Sequence, residues 1–109
     1  MAEKLCELKK KGGGKNNVMP EEIGYVHTNS TANQTITVSK DYAWLFLAQM
    51  IRLTPSTLTI TNNKSLTPTM TSSSADNIMQ IFKDVPAGTI FTCKASQAYY
   101  YNVAVYGIE

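Results

Sequence analysis

The sequence predicts an all-β fold, a jelly-roll-like antiparallel β-sandwich of about eight strands with an extended N-terminal arm. From Tyr25 onward the chain is rich in Thr and Ser, residues that favour pleated, half-buried strands. Its apolar residues fall in short alternating runs, with turn residues about every 8–12 positions, which is typical of a sandwich or barrel. The 109 residues, 43% of them hydrophobic and 17% charged, are enough for one domain with a single core.

The N-terminal segment differs from the rest of the chain in its charge. Residues 1–15 (MAEKLCELKKKGGGK) contain five Lys and two Glu, a net charge of +3, whereas residues 16–109 sum to −1. The three consecutive glycines at 12–14 give the backbone great conformational freedom and end any regular element. We therefore predict an anchoring arm and hinge over residues 1–22 and a β-sandwich domain over residues 23–109.

Alternating segments follow one another along the predicted domain. Residues 23–28, 34–39 and 57–61 are predicted strands, and the first two are separated by a polar turn. Residues 66–71 contain Pro68, which restricts that segment to an edge strand. Residues 77–85, 89–95 and 99–108 complete the set, with a turn at Pro86-Ala87-Gly88.

Residues 42–53 (YAWLFLAQMIRL) allow two interpretations. Asp41 is a suitable helix N-cap, Ala, Leu, Gln and Met are good helix formers, and Pro55 would end a helix. As a strand, the segment would be apolar on both faces. Because its neighbours on both sides are predicted strands, we favour a strand.

A strand that is apolar on both faces needs a cover on its outer side. An antiparallel sandwich normally buries one face of each sheet and exposes the other to water. In a chain of this size the simplest cover is another copy of the same protein. The tyrosines of the last strand lie on both of its faces, as expected either at an interface or for ordinary half-buried strand residues. We therefore predict a self-association or ligand surface that comprises Trp44, Tyr99, Tyr100, Tyr101 and Tyr106.

Catalytic chemistry is not indicated by any residue pattern, so we expect no enzyme, no cofactor and no metal. His27 is the one histidine, and no Cys or carboxylate accompanies it at the spacing of metal ligands. Cys93 lies on an alternating segment and is expected in the core, whereas Cys6 lies on the arm. The predicted domain lacks a basic stripe, so specific nucleic-acid binding is not expected. We also expect no signal peptide and no membrane span, because the longest apolar run is far below about 18 residues.

The two ends of the chain resemble a known class of protein. The opening MAEKLCELKKKGGG and the closing DVPAGTIFTCKASQAYYYNVAVYGIE are similar to the ends of small β-sandwich virion proteins of tailed phages and prophages. In that class a lysine- and glycine-containing leader precedes a Thr/Ser-rich β domain. The resemblance implies a head-fibre, decoration or tail-associated protein, often a trimer, that uses its leader as the virion anchor.

The expected function is thus that of a non-enzymatic structural or display module of a bacteriophage particle. The protein would be made in the host bacterial cytoplasm and reside in the virion. The arm would bind other virion proteins through Leu5, Cys6, Leu8, Lys9, Lys10 and Lys11. The main alternative is a carbohydrate- or receptor-binding module in which Trp44 and the tyrosines stack on a surface glycan. A small hydrolase built on His27 is the least favoured alternative.

Overall fold

The computed structural model of the protein describes residues 19–51, 57–69 and 77–109, which form two antiparallel sheets. Within these residues there are seven strands: β1 (Glu21–Thr28), β2 (Gln34–Thr37), β3 (Tyr42–Ile51), β4 (Leu58–Asn62), β5 (Asn77–Val85), β6 (Ile90–Ala95) and β7 (Tyr101–Ile108). The strand order is β1-β7-β3-β5 in the four-stranded sheet and β2-β6-β4 in the three-stranded sheet. The predicted all-β antiparallel sandwich is confirmed.

The strand pairing is that of a ribbon folded back on itself. β1 pairs with β7, β2 with β6 and β3 with β5, so the two halves of the chain run side by side and meet at β4. Wrapping this ribbon brings β7 against β3 and β6 against β4. This is the winding of a jelly roll, whose usual form has eight strands in two sheets. Among the described residues the three-stranded sheet has one strand fewer.

The core lies between the two sheets. Residues of both sheets contribute to one buried cluster: Ile36, Val38, Tyr42, Leu45, Leu47, Ile51, Leu58, Phe82, Val85, Phe91, Cys93, Ala95, Tyr101, Val103 and Val105. The rings of Phe82 on β5 and Phe91 on β6 lie 5.3 Å apart, tilted by 60°, and so connect the sheets through the core. Apart from Tyr42, alternation along the strands places these side chains inward, as the sequence pattern predicts.

The segment with two interpretations is a strand from Tyr42 to Ile51, so the helical alternative is wrong over these residues. β3 lies between β7 and β5 in the middle of the sheet and pairs along almost its whole length with both. Two neighbouring strands satisfy its backbone hydrogen bonds, and this outweighs the helix propensity of its side chains. Residues 52–53, the end of the predicted segment, lie outside the described residues.

The predicted edge strand at residues 66–71 is not a strand over residues 66–69. Leu66 packs against the core, and its backbone N–H donates to the side-chain oxygen of Asn62 at 2.9 Å. Thr69 instead lies beside the free edge of β5, where its N–H donates to the carbonyl oxygen of Ile81 at 2.5 Å. This segment therefore crosses from one sheet to the other, and residues 70–71 lie outside the described residues.

Close backbone approach shapes one end of the sandwich. The ring of Tyr42 packs directly over Gly107 of β7, where an added Cβ would lie 2.5 Å from the nearest ring carbon. Tyr42 is therefore buried, although Trp44, two residues later on the same strand, points to the outside. Only glycine allows the ring to pack in this position.

The turn before β6 is fixed by side-chain hydrogen bonds. Gly88 has a φ of 89°, a conformation that residues with a Cβ rarely adopt. The Thr89 hydroxyl donates to the carbonyl oxygen of Pro86 at 2.7 Å, and the Ala87 N–H donates to a carboxylate oxygen of Asp41 at 2.8 Å. The first bond closes the turn on itself, and the second joins it to the residue that precedes β3.

Candidate functional site

The outward-pointing side chains of β1, β7, β3 and β5 form a continuous surface, which we call the outer face. Pairing of the strands arranges these side chains in rows across the sheet. The rows are His27–Asn102–Met50–Asn77, Tyr25–Ala104–Ala48–Met79, Glu22–Tyr106–Phe46–Ile81 and, across three strands, Ile108–Trp44–Lys83. Charged residues occur only at the edges of these rows.

One half of the outer face is a second apolar cluster, separate from the core. Phe46 and Ile108 are only 9% and 6% exposed, although they point away from the core, and Met79 and Ile81 pack against them. Trp44 and Tyr106 flank this cluster and remain 40% and 37% exposed. Large apolar side chains thus cover each other on a surface that is otherwise open.

The other half of the outer face contains a shallow depression of about 490 Å³. Ala48 and Ala104 lie directly opposite each other on β3 and β7 and line the depression. Tyr25 and Met79 lie on either side of them in the same row, and Tyr25 is 57% exposed. Small residues in the middle and large residues at both edges give the depression its shape.

Three exposed rings lie at the end of the outer face nearest β1, and we call them the aromatic edge. The rings of Tyr25 and His27 are nearly parallel, with centroids 6.4 Å apart, and those of His27 and Tyr100 are 5.2 Å apart. The Nδ1 atom of His27 is hydrogen-bonded to the side-chain oxygen of Asn102 on the neighbouring strand. This bond fixes the imidazole between the two tyrosines.

The outer surface of the three-stranded sheet has a very different composition. Its central row is Thr35–Thr92–Thr61, and Thr59 faces Lys94 in the next row. Such a surface is well suited to contact with water. The two sheets of one domain therefore present a hydroxyl-rich surface on one side and an apolar surface on the other.

A charged cluster lies at the end of the sandwich near Tyr42. The ammonium group of Lys40 donates to Glu21 at 3.0 Å and to Glu109 at 2.9 Å, and the Tyr42 hydroxyl donates to Glu21 at 2.9 Å. The hydrogen bond from Lys40 is the main reason why the pKa of Glu21 lies below its ordinary value, and the same bond raises the pKa of Lys40. Burial, followed by the bond to Glu21, raises the pKa of Tyr42. All three charged side chains are substantially exposed, so this cluster joins chain segments and contributes little energy per pair.

The structure places the residues predicted for a surface in four different environments. Trp44 and Tyr106 lie on the outer face, Tyr100 lies in the aromatic edge, and Tyr99 is half-buried just before β7. Tyr101 is 2% exposed and points into the core, so it does not belong to any surface. Its inward direction follows from alternation along β7, where Val103 and Val105 point the same way.

Several residues of the outer face were not predicted from the sequence as part of a site. Tyr25 and His27 join Tyr100 only because β1 pairs with β7, a contact across more than seventy positions of the chain. Alternation places Phe46 on the same side of β3 as Trp44, but its cluster with Ile108 depends on the same long-range pairing. The predicted arm residues, Leu5, Cys6, Leu8, Lys9, Lys10 and Lys11, lie outside the described residues.

A reactive thiol and a metal centre are two further kinds of site that the described ranges do not form. Cys93 is a free thiol within the core, and burial raises its pKa to about 11. Across residues 19–51, 57–69 and 77–109, no three side chains of His, Cys, Asp or Glu are grouped so that they could hold a metal ion. That same part of the chain contains no helix with the length and apolar character needed to cross a membrane.

Comparisons of the chain with protein-family models, with curated proteins and with solved structures find no match.

Proposed function

We propose that this protein is a non-enzymatic structural or display module of a bacteriophage particle, attached through its N-terminal arm and assembled into a homo-oligomer through its outer face. The observation that carries the proposal is the apolar outer face, on which Trp44, Tyr106 and Tyr25 remain exposed around the second apolar cluster. Apolar patches of this kind on a domain that is otherwise polar mark contact with another macromolecule. The virion would be the protein's location after synthesis in the host cytoplasm.

The comparison of the two sheets supports an association surface rather than a generally apolar exterior. Both sheets belong to one domain, yet among the described strands the large apolar side chains that remain exposed all lie on the four-stranded sheet. Jelly rolls occur both in viral capsid proteins and in lectins, so the fold agrees with the proposal without selecting it. The distribution of side chains is the more specific argument.

The arm would supply attachment to other virion proteins. β1 begins at Glu21, at an edge of the four-stranded sheet. Under the proposal Leu5, Cys6 and Leu8 insert into a groove of the partner. The adjacent lysines, 9–11, then contact an acidic surface, and the glycines at 12–14 uncouple the arm from the domain.

Deletion of residues 1–14 tests the attachment. The shortened and the full-length proteins are each produced in a host that releases phage particles, and the amount that co-purifies with particles in a density gradient is measured. We expect the shortened protein to be lost from the particles while its thermal unfolding temperature is unchanged. A second variant, Leu5→Asp with Leu8→Asp, should behave like the deletion, whereas Lys15→Ala serves as a matched control. Undiminished co-purification of the deletion variant would contradict the proposal.

The aromatic edge favours carbohydrate binding as a second candidate function. Tyr25 and Tyr100 expose aromatic rings beside a depression of a size found in ligand sites, and Asn102 provides an amide next to them. Sugar rings stack on exposed aromatic faces and form hydrogen bonds with amides. A glycan array should then give a signal that Tyr25→Ala and Tyr100→Ala both abolish and that Thr61→Ala leaves unchanged. Absence of any signal with the full-length protein counts against this candidate.

A further inference from the structure

We propose that the outer face pairs with the outer face of a second copy, related by a two-fold axis parallel to the strands between β7 and β3. This inference rests on the proposed assembly through the outer face and adds which surface of the second copy is the partner. It replaces the trimer implied by the resemblance with a pair.

The rows of the outer face match each other under this symmetry. A two-fold axis parallel to the strands places each row opposite the same row of the second copy. The order of the strands within the row is reversed, so β7 faces the second copy's β3. Ala104 then lies over the second copy's Ala48, Tyr106 lies over its Phe46, and Tyr25 faces its Met79. Small residues meet at the centre, where the two sheets can approach closely.

Large side chains then fill the space at the sides of this alanine centre. Tyr25 projects from its own sheet beside the depression, and Met79 is a flexible side chain on the opposite edge. Contacts between a methionine sulfur and an aromatic ring are favourable. The tyrosine of each copy would therefore occupy space beside the depression of the other.

The charges at the edges of the outer face are complementary under the same symmetry. Glu22 lies on β1 at one edge and Lys83 on β5 at the other, in adjacent rows. Within one copy the two strands are three spacings apart, about 14 Å, which is too far for an ion pair. The proposed axis brings β1 over the second copy's β5, so that each Glu22 lies near the partner's Lys83.

The size of the outer face agrees with a pair of copies. Four strands about 4.8 Å apart and eight residues rising about 3.4 Å each give a projected area of about 500 Å². Two such faces together bury about 1,000 Å² in projection, which reaches the lower limit expected of a specific interface. Accessible area is larger than projected area because side chains give the surface relief.

Light scattering after size-exclusion chromatography and quenching of Trp44 fluorescence by acrylamide test the pairing in the full-length protein. Trp44 is the one tryptophan of the chain and lies on the outer face, so it reports on this surface directly. We expect a mass of two copies and quenching that becomes stronger as dilution separates them. Ala104→Glu places the carboxylates of both copies close together at the alanine centre and should weaken the pair at least about 100-fold. Thr61→Glu, on the other sheet, should not change it.

A charge exchange separates this arrangement from other ways of covering the face. Glu22→Lys and Lys83→Glu should each weaken the pair, and the double variant should restore it. The double variant can restore the affinity only if residue 22 of one copy contacts residue 83 of the other. Within a single copy these two positions lie too far apart to interact. A monomer, a trimer, or a double variant no tighter than the single ones would overturn the pairing. Loss of binding in Thr61→Glu would also overturn it. None of these results affects the test of particle attachment, which depends on the arm.

Discussion

Replacement of Gly107 by alanine tests whether the contact between Tyr42 and β7 is as tight as the structure indicates. The new Cβ would lie 2.5 Å, 2.8 Å and 2.8 Å from three carbons of the Tyr42 ring. The ring has little room to move, because it is 4% exposed and its hydroxyl donates to Glu21 at 2.9 Å. Gly107 is also held in place, since it pairs with Glu21 on one side and with Leu45 on the other.

The expected loss of stability follows from two opposing effects. Forcing an extra carbon into a well-packed core raises the free energy of the folded state by about 1–3 kcal/mol. Alanine is favoured over glycine within a strand by about 0.5–1 kcal/mol, because glycine loses more backbone entropy on folding. The steric effect is larger, so we expect a net loss of about 1–2 kcal/mol. In a domain of this size each kcal/mol lowers the Tm by about 4–8 °C.

Urea unfolding and a thermal melt, each followed by circular dichroism, measure this loss. The matched control is the same substitution in a Tyr42→Leu background, where the smaller side chain leaves space for the Cβ. There we expect Gly107→Ala to destabilise the protein by less than about 0.5 kcal/mol, so that the two sites are coupled. An unchanged or higher Tm for the single variant, or an equal loss in both backgrounds, would refute the reasoning.

Three further predictions concern buried and charged side chains. The Tyr101 hydroxyl is buried with no hydrogen-bond partner in the described ranges. Tyr101→Phe should therefore leave the free energy of unfolding unchanged or raise it by up to about 1 kcal/mol. A loss above about 1 kcal/mol in urea unfolding would argue against this prediction. Because Lys40 lowers the pKa of Glu21, the stability from their contact is present above pH 4.5 and is lost as pH falls below it. The Tm of the native protein should therefore fall more steeply than that of Glu21→Gln below pH 4.5, and parallel curves would count against this. Cys93 should resist iodoacetamide at pH 8 in the folded protein and react after unfolding, as read by peptide mass spectrometry, because burial raises its pKa to about 11.

Local patterns were sufficient to predict most of the strands but not how the strands pair around the candidate site. Alternating runs predicted β2, β4 and β6 because side chains of a half-buried strand repeat every two residues. The strand at 42–51 could not be separated from a helix by its own residues, since the partners that decide the matter, β5 and β7, lie far along the chain. The edge strand predicted near Pro68 was wrong over residues 66–69, where Leu66 and Thr69 follow a path between the sheets.

The outer face illustrates the same limit. Trp44 and Phe46 could be placed on one side of β3 from alternation alone, and an apolar outer side could be predicted. Tyr25 and His27, by contrast, occur in a short segment with no signal of its own. Only pairing with β7 brings His27 next to Asn102 and Tyr100 and so creates the aromatic edge.

The folded-back ribbon has a consequence for how the chain reaches its final structure. In the sheet β7 lies between β1 and β3, yet it follows both in the sequence. During synthesis, the edges of β1 and β3 that pair with β7 therefore stay unpaired until the ribosome has released β7. A topology dominated by such distant pairings folds slowly. Until then, the apolar side chains of β3 would be accessible to chaperones and to other nascent copies.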